Sequence, residues 1–150
     1  MPWTSDLPTS HLRRARIRFA AVTRQAFVPR WRPPFISALA PEDRCHLNGL
    51  GVRDGVVRYV TALGMSDSPA GWRAGKRGGG VLLDVPSGEV IARGLSMPHS
   101  PRWHDGRLWV LGSGNGRVCI VDEATGRLDA HQRLRNQRAT FMRCSRFVFV

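Results

Sequence analysis

The sequence predicts an all-β fold built from short strands and tight turns. Residues 56–64 are rich in β-branched and aromatic residues. The pattern of residues 79–94 predicts a strand, a turn and a strand, and that of residues 106–130 predicts three short strands joined by tight turns. Glycines separate these segments at close spacing and a helical period is nearly absent, which is typical of all-β proteins. Residues 37–45 are the exception and predict a short helix.

An internal repeat organises the central part of the chain. The stretch RDGVVRYVTALG aligns with HDGRLWVLGSG, and in both an Asp-Gly pair precedes a run with an aromatic-Val step and a glycine. The two pairs begin at Asp54 and Asp105, which are 51 residues apart. Asp-Gly suits a two-residue hairpin turn, because both turn positions need a positive φ. Each copy is therefore predicted to contain a hairpin.

A second element follows the hairpin in each copy. Asp84 and Asp122 are each followed four residues later by a glycine. The aspartate can accept hydrogen bonds from the turn while the glycine takes the left-handed conformation. A period of about 40–50 residues with several strands per unit marks a β-propeller blade. We predict about two propeller-like blades, with a β-sandwich of similar hairpins as the alternative.

Two blades are too few to close a propeller, which takes about four or more. Open sheet edges invite pairing with other chains. We therefore predict that the chain is an incomplete propeller and a fragment of a larger protein. The expected division is an irregular or aberrant N-terminal segment at residues 1–26, a propeller-like blade region at 27–130, and an aberrant or truncated C-terminal segment at 131–150.

The charge of the chain is concentrated at its two ends. The formal net charge is +12, of which residues 1–40 carry +6 and residues 131–150 carry +5. Residues 41–130 carry only +1, and the chain has one lysine against 22 arginines. Nucleic-acid binding needs a basic patch on a folded surface, so no nucleic-acid partner is expected. The arginine-rich ends suggest reading-frame artefacts or a truncated gene product.

Targeting signals and metal motifs are not found in the sequence. No stretch approaches about 18 consecutive apolar residues, and the N-terminus lacks the apolar core of a signal peptide. The three cysteines, at positions 45, 119 and 144, have neither a CxxC nor a Cys/His metal spacing. These observations predict a cytoplasmic protein with reduced thiols and no membrane partner.

Four stretches carry a family resemblance: FVPRWRPPFISALAPEDRCHLNGL, RYVTALG, the GWR…K…GG insertion, and GLSMPHSPRWHDGRLWVLGSG. Through them residues 27–130 resemble an uncharacterised bacterial family of conserved hypothetical proteins with a propeller-like repeat architecture and no assigned activity. The resemblance implies that intact relatives are longer, complete propellers. It breaks at both ends of this chain.

Polar residues at related positions of the two repeats form the main candidate site. His46 and Asn48 precede the first Asp-Gly pair by eight and six residues, and His99 precedes the second by six. Because the innermost strand of each blade lines a propeller's channel, these residues and Arg102 are expected to converge there. Asparagine and histidine suit a divalent cation or a polar ligand. Alternatively, Asn48 and His99 satisfy buried backbone groups between blades.

The insertion MSDSPAGWRAGKRGG in the first repeat supplies two further candidates. Trp72 is expected to be exposed and to cap a ligand or a partner surface. Lys76, with neighbouring arginines, is a candidate anion-binding residue, although the stretch lacks the spacing of a phosphate loop. Tyr59, Trp103 and Trp109 are expected in the core.

No catalytic residue is predicted, because no GxSxG elbow and no His-x-x-x-His pair occurs. The sequence favours an uncharacterised binding or interaction module for a small polar ligand or a protein. The alternative is a metal-dependent hydrolase of the lactonase type, with a divalent metal at the channel mouth of intact relatives. Asn48 and His99 are the metal-ligand candidates of that hypothesis, which lacks a clear inward carboxylate.

Overall fold

The computed structural model describes residues 21–22 and 27–133, and within these ranges it is nearly all β. A short ribbon of β1 (Ala21–Val22) and β2 (Phe27–Val28) precedes two four-stranded antiparallel sheets. The predicted all-β class is confirmed. The short helix expected at residues 37–45 is wrong, since this segment forms bends and irregular backbone.

Both sheets are simple meanders in which each strand pairs with the next one along the chain. The first contains β3 (Leu47–Arg53), β4 (Val56–Ala62), β5 (Gly80–Asp84) and β6 (Val90–Leu95). The second contains β7 (Pro98–His104), β8 (Arg107–Gly112), β9 (Arg117–Val121) and β10 (Leu128–Arg133). Such sheets are compatible with propeller blades, and within the described ranges they do not close into a ring.

The two Asp-Gly pairs form the hairpin turns that join β3 to β4 and β7 to β8. Asp54 and Gly55 have φ angles of 52° and 76°, and Asp105 and Gly106 have φ angles of 50° and 66°. Two consecutive positive φ angles are the requirement of a type I′ turn, whose twist matches that of the flanking strands. The predicted hairpins are confirmed at both positions.

The second repeated turn joins β5 to β6 and β9 to β10. The Asp84 carboxylate accepts a hydrogen bond from the Ser87 backbone N–H at 2.9 Å, and Asp122 accepts one from Thr125 at 2.9 Å. The glycines that end these turns have φ angles of 76° and 71°. Side-chain acceptance by aspartate and a left-handed glycine are the chemistry expected for these turns.

Strand β3 lies against β7, so the first strands of the two sheets are neighbours. Glycines in β3 permit this approach. A Cβ atom at Gly49 would lie 2.8 Å from the Ser100 nitrogen, and one at Gly51 would lie 2.8 Å from the Pro101 carbonyl oxygen. Both contacts are with backbone that cannot move aside cheaply, so only glycine fits at these two positions of β3.

Two clusters of buried side chains hold the sheets. One lies between them and includes Tyr59, Leu82, Ala92, Leu95, Leu108, Val110, Cys119 and Val121. The other covers the far side of the first sheet, where Trp31, Ile36 and Cys45 pack on Val60, Ala62, Val81 and Leu83. Tyr59 is fully buried and Trp103 packs partly buried against the inter-sheet cluster, as expected. Trp109 is only half-buried and belongs to neither cluster, so its placement in the core is wrong.

The predicted C-terminal segment at 131–150 lies largely outside the described residues, and so does most of the segment at 1–26. Strand β10 continues to Arg133, past the expected end of the blade region at 130. Among the described residues, no helix is long and apolar enough to cross a membrane.

Candidate functional site

The candidate site is centred on the carboxylate of Asp43, in the turn that precedes β3. Its Oδ1 atom lies 2.7 Å from Nδ1 of His46, and its Oδ2 atom accepts a hydrogen bond from the Trp72 indole N–H at 2.8 Å. The rings of His46 and Trp72 are 4.7 Å apart between centroids and tilted by 42°. One carboxylate therefore holds two aromatic side chains that are distant in the sequence.

The insertion between β4 and β5 places Trp72 next to Asp43. A 3₁₀ helix spans Gly71–Gly75, and its Trp72 backbone N–H donates to the Arg44 carbonyl at 3.3 Å. The Arg44 guanidinium also donates to the Asp67 carboxylate at 2.8 Å. Hydrogen bonds from Ser37 and from Arg44 lower the pKa of Asp67 to about 2. The insertion is thus a folded loop that is bonded to the turn before β3.

Trp72 is buried, with 8% of its surface exposed, so the expectation of an exposed tryptophan is wrong. A tryptophan can be buried at low cost when its indole N–H finds an acceptor. Asp43 supplies that acceptor. The ring of Trp72 therefore packs the insertion against the turn before β3 and is not exposed to a partner.

The electrostatics of Asp43 favour its charged form. Burial raises its pKa, but hydrogen bonds from Trp72 and His46 outweigh this effect and lower the pKa below its ordinary value. The carboxylate is therefore ionised at neutral pH and holds a proton on Nδ1 of His46. The backbone is also unusual, because Asp43 and His46 have φ angles of 50° and 51°. Residues in this region of φ cost free energy and often occur at functional sites.

Asn48 connects this cluster with the second sheet. Its Oδ1 atom accepts a hydrogen bond from the buried Thr61 hydroxyl at 2.7 Å, and its Nδ2 atom donates to the Pro98 carbonyl at 2.9 Å. The same nitrogen lies 3.3 Å from Nε2 of His99. Asn48 and His99 thus meet, as residues at equivalent strand positions were expected to do. The hydrogen bond to Pro98 matches the alternative in which Asn48 satisfies backbone groups between the sheets.

His99 is half-buried and uncharged at neutral pH. Burial lowers its pKa below the ordinary 6.5, and the nearby charge of His46 lowers it further. The contact with Asn48 assigns the tautomer, because an amide N–H next to Nε2 needs an unprotonated acceptor there. His99 accordingly carries its proton on Nδ1.

A cavity of about 400 Å³ opens beside this cluster. Its apolar wall includes Trp31, Ile36 and Leu39. Asp43, His46 and Asn48 line another part of the same cavity. A concave apolar space with a few convergent polar groups is the usual form of a small-molecule site.

The remaining predicted residues lie at the edge of the site or away from it. The Lys76 ammonium is 5.6 Å from the centroid of the Trp72 ring, and the Arg73 guanidinium is 5.3 Å from it. Both residues are exposed. Arg102 pairs with Trp109 across the β7–β8 hairpin, three residues beyond His99. The structure thus brings His46, Asn48, His99 and Trp72 into one cluster, places Lys76 at its rim, and leaves Arg102 nearer the hairpin turn.

Sequence reasoning missed Asp43 and Thr61. Asp43 stands three residues before His46 in a segment that was expected to be a helix. Thr61 is the second-to-last residue of β4 and has no sequence signal of its own. The one available clue was the short spacing between Asp43 and His46, because carboxylates often orient imidazoles.

The side chains of the candidate site are poorly suited to hold a metal ion. Among the described residues, no three histidine, cysteine, aspartate or glutamate side chains are grouped so that they could hold a metal ion. The Oδ1 atom of Asn48, which a cation would use, already accepts the Thr61 hydroxyl. His99 and Asn48 are therefore arranged as hydrogen-bond partners of each other and of the β7 backbone.

Comparison with known proteins gives a family. No curated protein and no solved structure matches the chain at a significant level. A family model with the description "Domain of unknown function (DUF4915)" matches residues 19–150, which include the C-terminal segment. The match covers most of the 150 residues, so the chain belongs to the family of this domain of unknown function.

Proposed function

We propose that the chain is a propeller-like binding module, part of a larger propeller, that holds a small polar ligand in the cavity beside Asp43. The observation that carries the proposal is that Asp43, His46 and Asn48 all line one cavity of about 400 Å³. Trp31, Ile36 and Leu39 also line the cavity, so a ligand with an apolar body and one polar end fits best.

The chemistry of the polar wall supports recognition of such a ligand. Asp43 engages Nδ1 of His46, and among the described residues no hydrogen bond engages the other ring nitrogen. Nε2 of His46 is therefore the atom that a ligand would meet. Because Asp43 also holds Trp72, the imidazole is fixed in place before binding, which reduces the entropy lost when a ligand binds.

The propeller-like part of the proposal is supported by the repeat itself. Both sheets are four-stranded meanders, their first strands begin 51 residues apart, and β3 lies against β7. Neighbouring innermost strands are the arrangement of adjacent propeller blades. In such an arrangement the contact between Asn48 and His99 would repeat around the channel.

Nuclear magnetic resonance on the 150-residue chain tests the binding site. The probes are three panels of small molecules: monosaccharides, amino acids and nucleosides. We expect at least one probe to shift the amide signals of His46 and Asn48 and the indole signal of Trp72. The variant His46→Ala should weaken that response at least tenfold. The matched control His104→Ala changes an exposed histidine at the β7–β8 turn and should leave it unchanged.

Two results would overturn the proposed site. One is the absence of any shift at these three residues across all panels. The other is equal binding by the His46→Ala and His104→Ala variants.

The alternative function, a metal-dependent hydrolase, is tested against the binding module by adding calcium, manganese or zinc chloride and measuring the melting temperature of the protein. A rise that is lost in His99→Ala would favour the hydrolase over the proposed module.

A further inference from the structure

The cavity beside Asp43 is lined by charges of both signs. The side chain of Arg32 lines it together with the Asp43 carboxylate. Arg44 lines it as well, but its guanidinium is already paired with Glu42 at 2.7 Å and with Asp67 at 2.8 Å. Among the residues that the structure describes, no carboxylate forms an ion pair with Arg32. Arg32 is therefore the positive charge of the cavity that a ligand can neutralise.

The position of Arg32 suits the recognition of a carboxylate. The planar guanidinium of an arginine can donate two parallel N–H bonds to the two oxygens of one carboxylate. Arg32 is exposed, whereas its two chain neighbours, Trp31 and Pro33, are buried. The Pro33 carbonyl also accepts a hydrogen bond from the Ile36 backbone N–H at 3.0 Å. The backbone that carries Arg32 is thus held by packing, which limits the region that its guanidinium can reach.

The pair of Asp43 and His46 suits an ammonium group. Asp43 engages Nδ1 of His46 at 2.7 Å, so in the neutral ring Nε2 is a hydrogen-bond acceptor. A ligand that donates an N–H bond to this atom is therefore favoured over one that offers only acceptors. The negative charge of Asp43 lies on the other side of the imidazole and favours a donor that is itself positively charged.

The second repeat lacks this polar pair although it has the same backbone. Gly94 and Met97 stand 51 residues after Asp43 and His46, and their φ angles are 77° and 45°. A glycine adopts such a conformation at the lowest cost. The left-handed backbone therefore does not require an aspartate or a histidine at these positions. Their side chains serve contacts that only the first repeat makes, which are those with the insertion and with the cavity.

The size and the apolar lining of the cavity define the rest of the ligand. Trp31, Ile36 and Leu39 supply apolar surface beside the charged groups. The volume of about 400 Å³ lies near the lower end of the range of about 300–1,000 Å³ that is usual for ligand pockets. A small molecule with a branched or aromatic apolar group fits this space.

We propose that the cavity binds an amino acid with an apolar side chain, whose carboxylate pairs with Arg32 and whose ammonium donates to Nε2 of His46. The proposal rests on the binding function proposed above and names the ligand class of the same site. A zwitterion matches a cavity that offers one positive and one negative partner, because neither charge of the ligand is left without its opposite.

Titration of the 150-residue chain with L-leucine tests the ligand class, with the amide signals of His46 and Asn48 as the readout in nuclear magnetic resonance. Two further probes each lack one charge of leucine: 3-methylbutylamine lacks the carboxylate, and 4-methylpentanoate lacks the ammonium. We expect each to bind about tenfold more weakly than L-leucine, because each leaves one charged group of the cavity without its partner. Equal affinities for L-leucine and either of these probes would overturn the proposal.

A pair of arginine variants tests the carboxylate contact. Arg32→Gln should weaken the binding of L-leucine about tenfold and leave the affinity for 3-methylbutylamine unchanged, because that amine has no carboxylate to lose. The matched control Arg30→Gln changes an exposed arginine of the same segment that does not line the cavity. It should bind both probes as the wild type does. If the two variants bind L-leucine equally well, Arg32 is not the partner of the carboxylate and the proposal is wrong.

Other probes separate this proposal from the one on which it rests. Shifts at His46 and Asn48 with a monosaccharide or a nucleoside, but with neither L-leucine nor L-phenylalanine, would refute the ligand class and retain the cavity as a binding site. The absence of shifts with every probe would refute both proposals.

Discussion

The two sheets have the same strand order and the same turns. They differ in their longest connection and in the residues that pack on the side facing away from the other sheet. In the first sheet, residues 63–79 join β4 to β5 and fold onto the turn before β3. In the second sheet, the short turn at residues 113–116 joins β8 to β9. The candidate site depends on Trp72 and Asp43, so it exists only where the insertion is present.

The first strands of the two sheets also differ at equivalent positions of the repeat. Gly49 and Gly51 of β3 stand where β7 carries Ser100 and Arg102, each 51 residues later. The two glycines are in contact with the β7 backbone. Equivalent positions of a repeat diverge when their neighbours differ, because packing rather than strand pairing decides which side chains fit.

The largest expected effect is on stability, and it compares one leucine from each sheet. Each leucine lies on the side of its sheet that faces away from the other sheet. Leu83 is fully buried, whereas Leu111 is half-buried. Truncating a buried leucine to alanine removes its transfer free energy and leaves a cavity, which costs about 2–5 kcal/mol. We expect Leu83→Ala to reduce the free energy of unfolding in urea by about 3 kcal/mol and Leu111→Ala by about 1 kcal/mol. Equal losses of unfolding free energy would show that the two leucines are equally well buried.

The next effect tests the close approach of β3 to β7. The change Gly49→Ala places a methyl group 2.6 Å from the Thr61 hydroxyl oxygen and 2.8 Å from the Ser100 nitrogen. Overpacking of this kind costs about 1–3 kcal/mol. The matched variant Ser100→Ala on β7 should change stability by less than about 0.5 kcal/mol. If denaturation in urea shows the two variants to be equally stable, the sheets are not packed through these strands.

The smallest effect concerns the pH dependence of stability. Burial, and then the charge of His46, lower the pKa of His99 below 6.5 in the folded state. The unfolded chain takes up this proton at higher pH than the folded chain, so stability falls as pH drops below about 6.5. We expect His99→Gln to flatten the change in urea midpoint between about pH 7 and pH 5.

The matched variant for this measurement is His104→Gln, which changes an exposed histidine on the same strand and should keep the wild-type slope. An identical slope for the two variants would show that His99 does not take up its proton differently on unfolding.

Part of the candidate site was predictable from the repeat. Asn48 and His99 stand at equivalent positions of β3 and β7, and equivalent first strands that lie side by side bring such residues together. Asp43 was not predictable, because its partners His46 and Trp72 come from two segments whose contact depends on how the insertion folds. Trp72 looked exposed in a glycine-rich stretch for the same reason.

The sequence by itself determined the local features: the all-β class, the Asp-Gly hairpins and the aspartate turns. These depend on φ preferences and on hydrogen bonds within a few residues of the chain. Only the tertiary structure decided which face of each sheet is covered, that Trp72 is buried on Asp43, and that Gly49 has no room for a side chain. These features depend on contacts between distant segments, and no local pattern records which segments will meet.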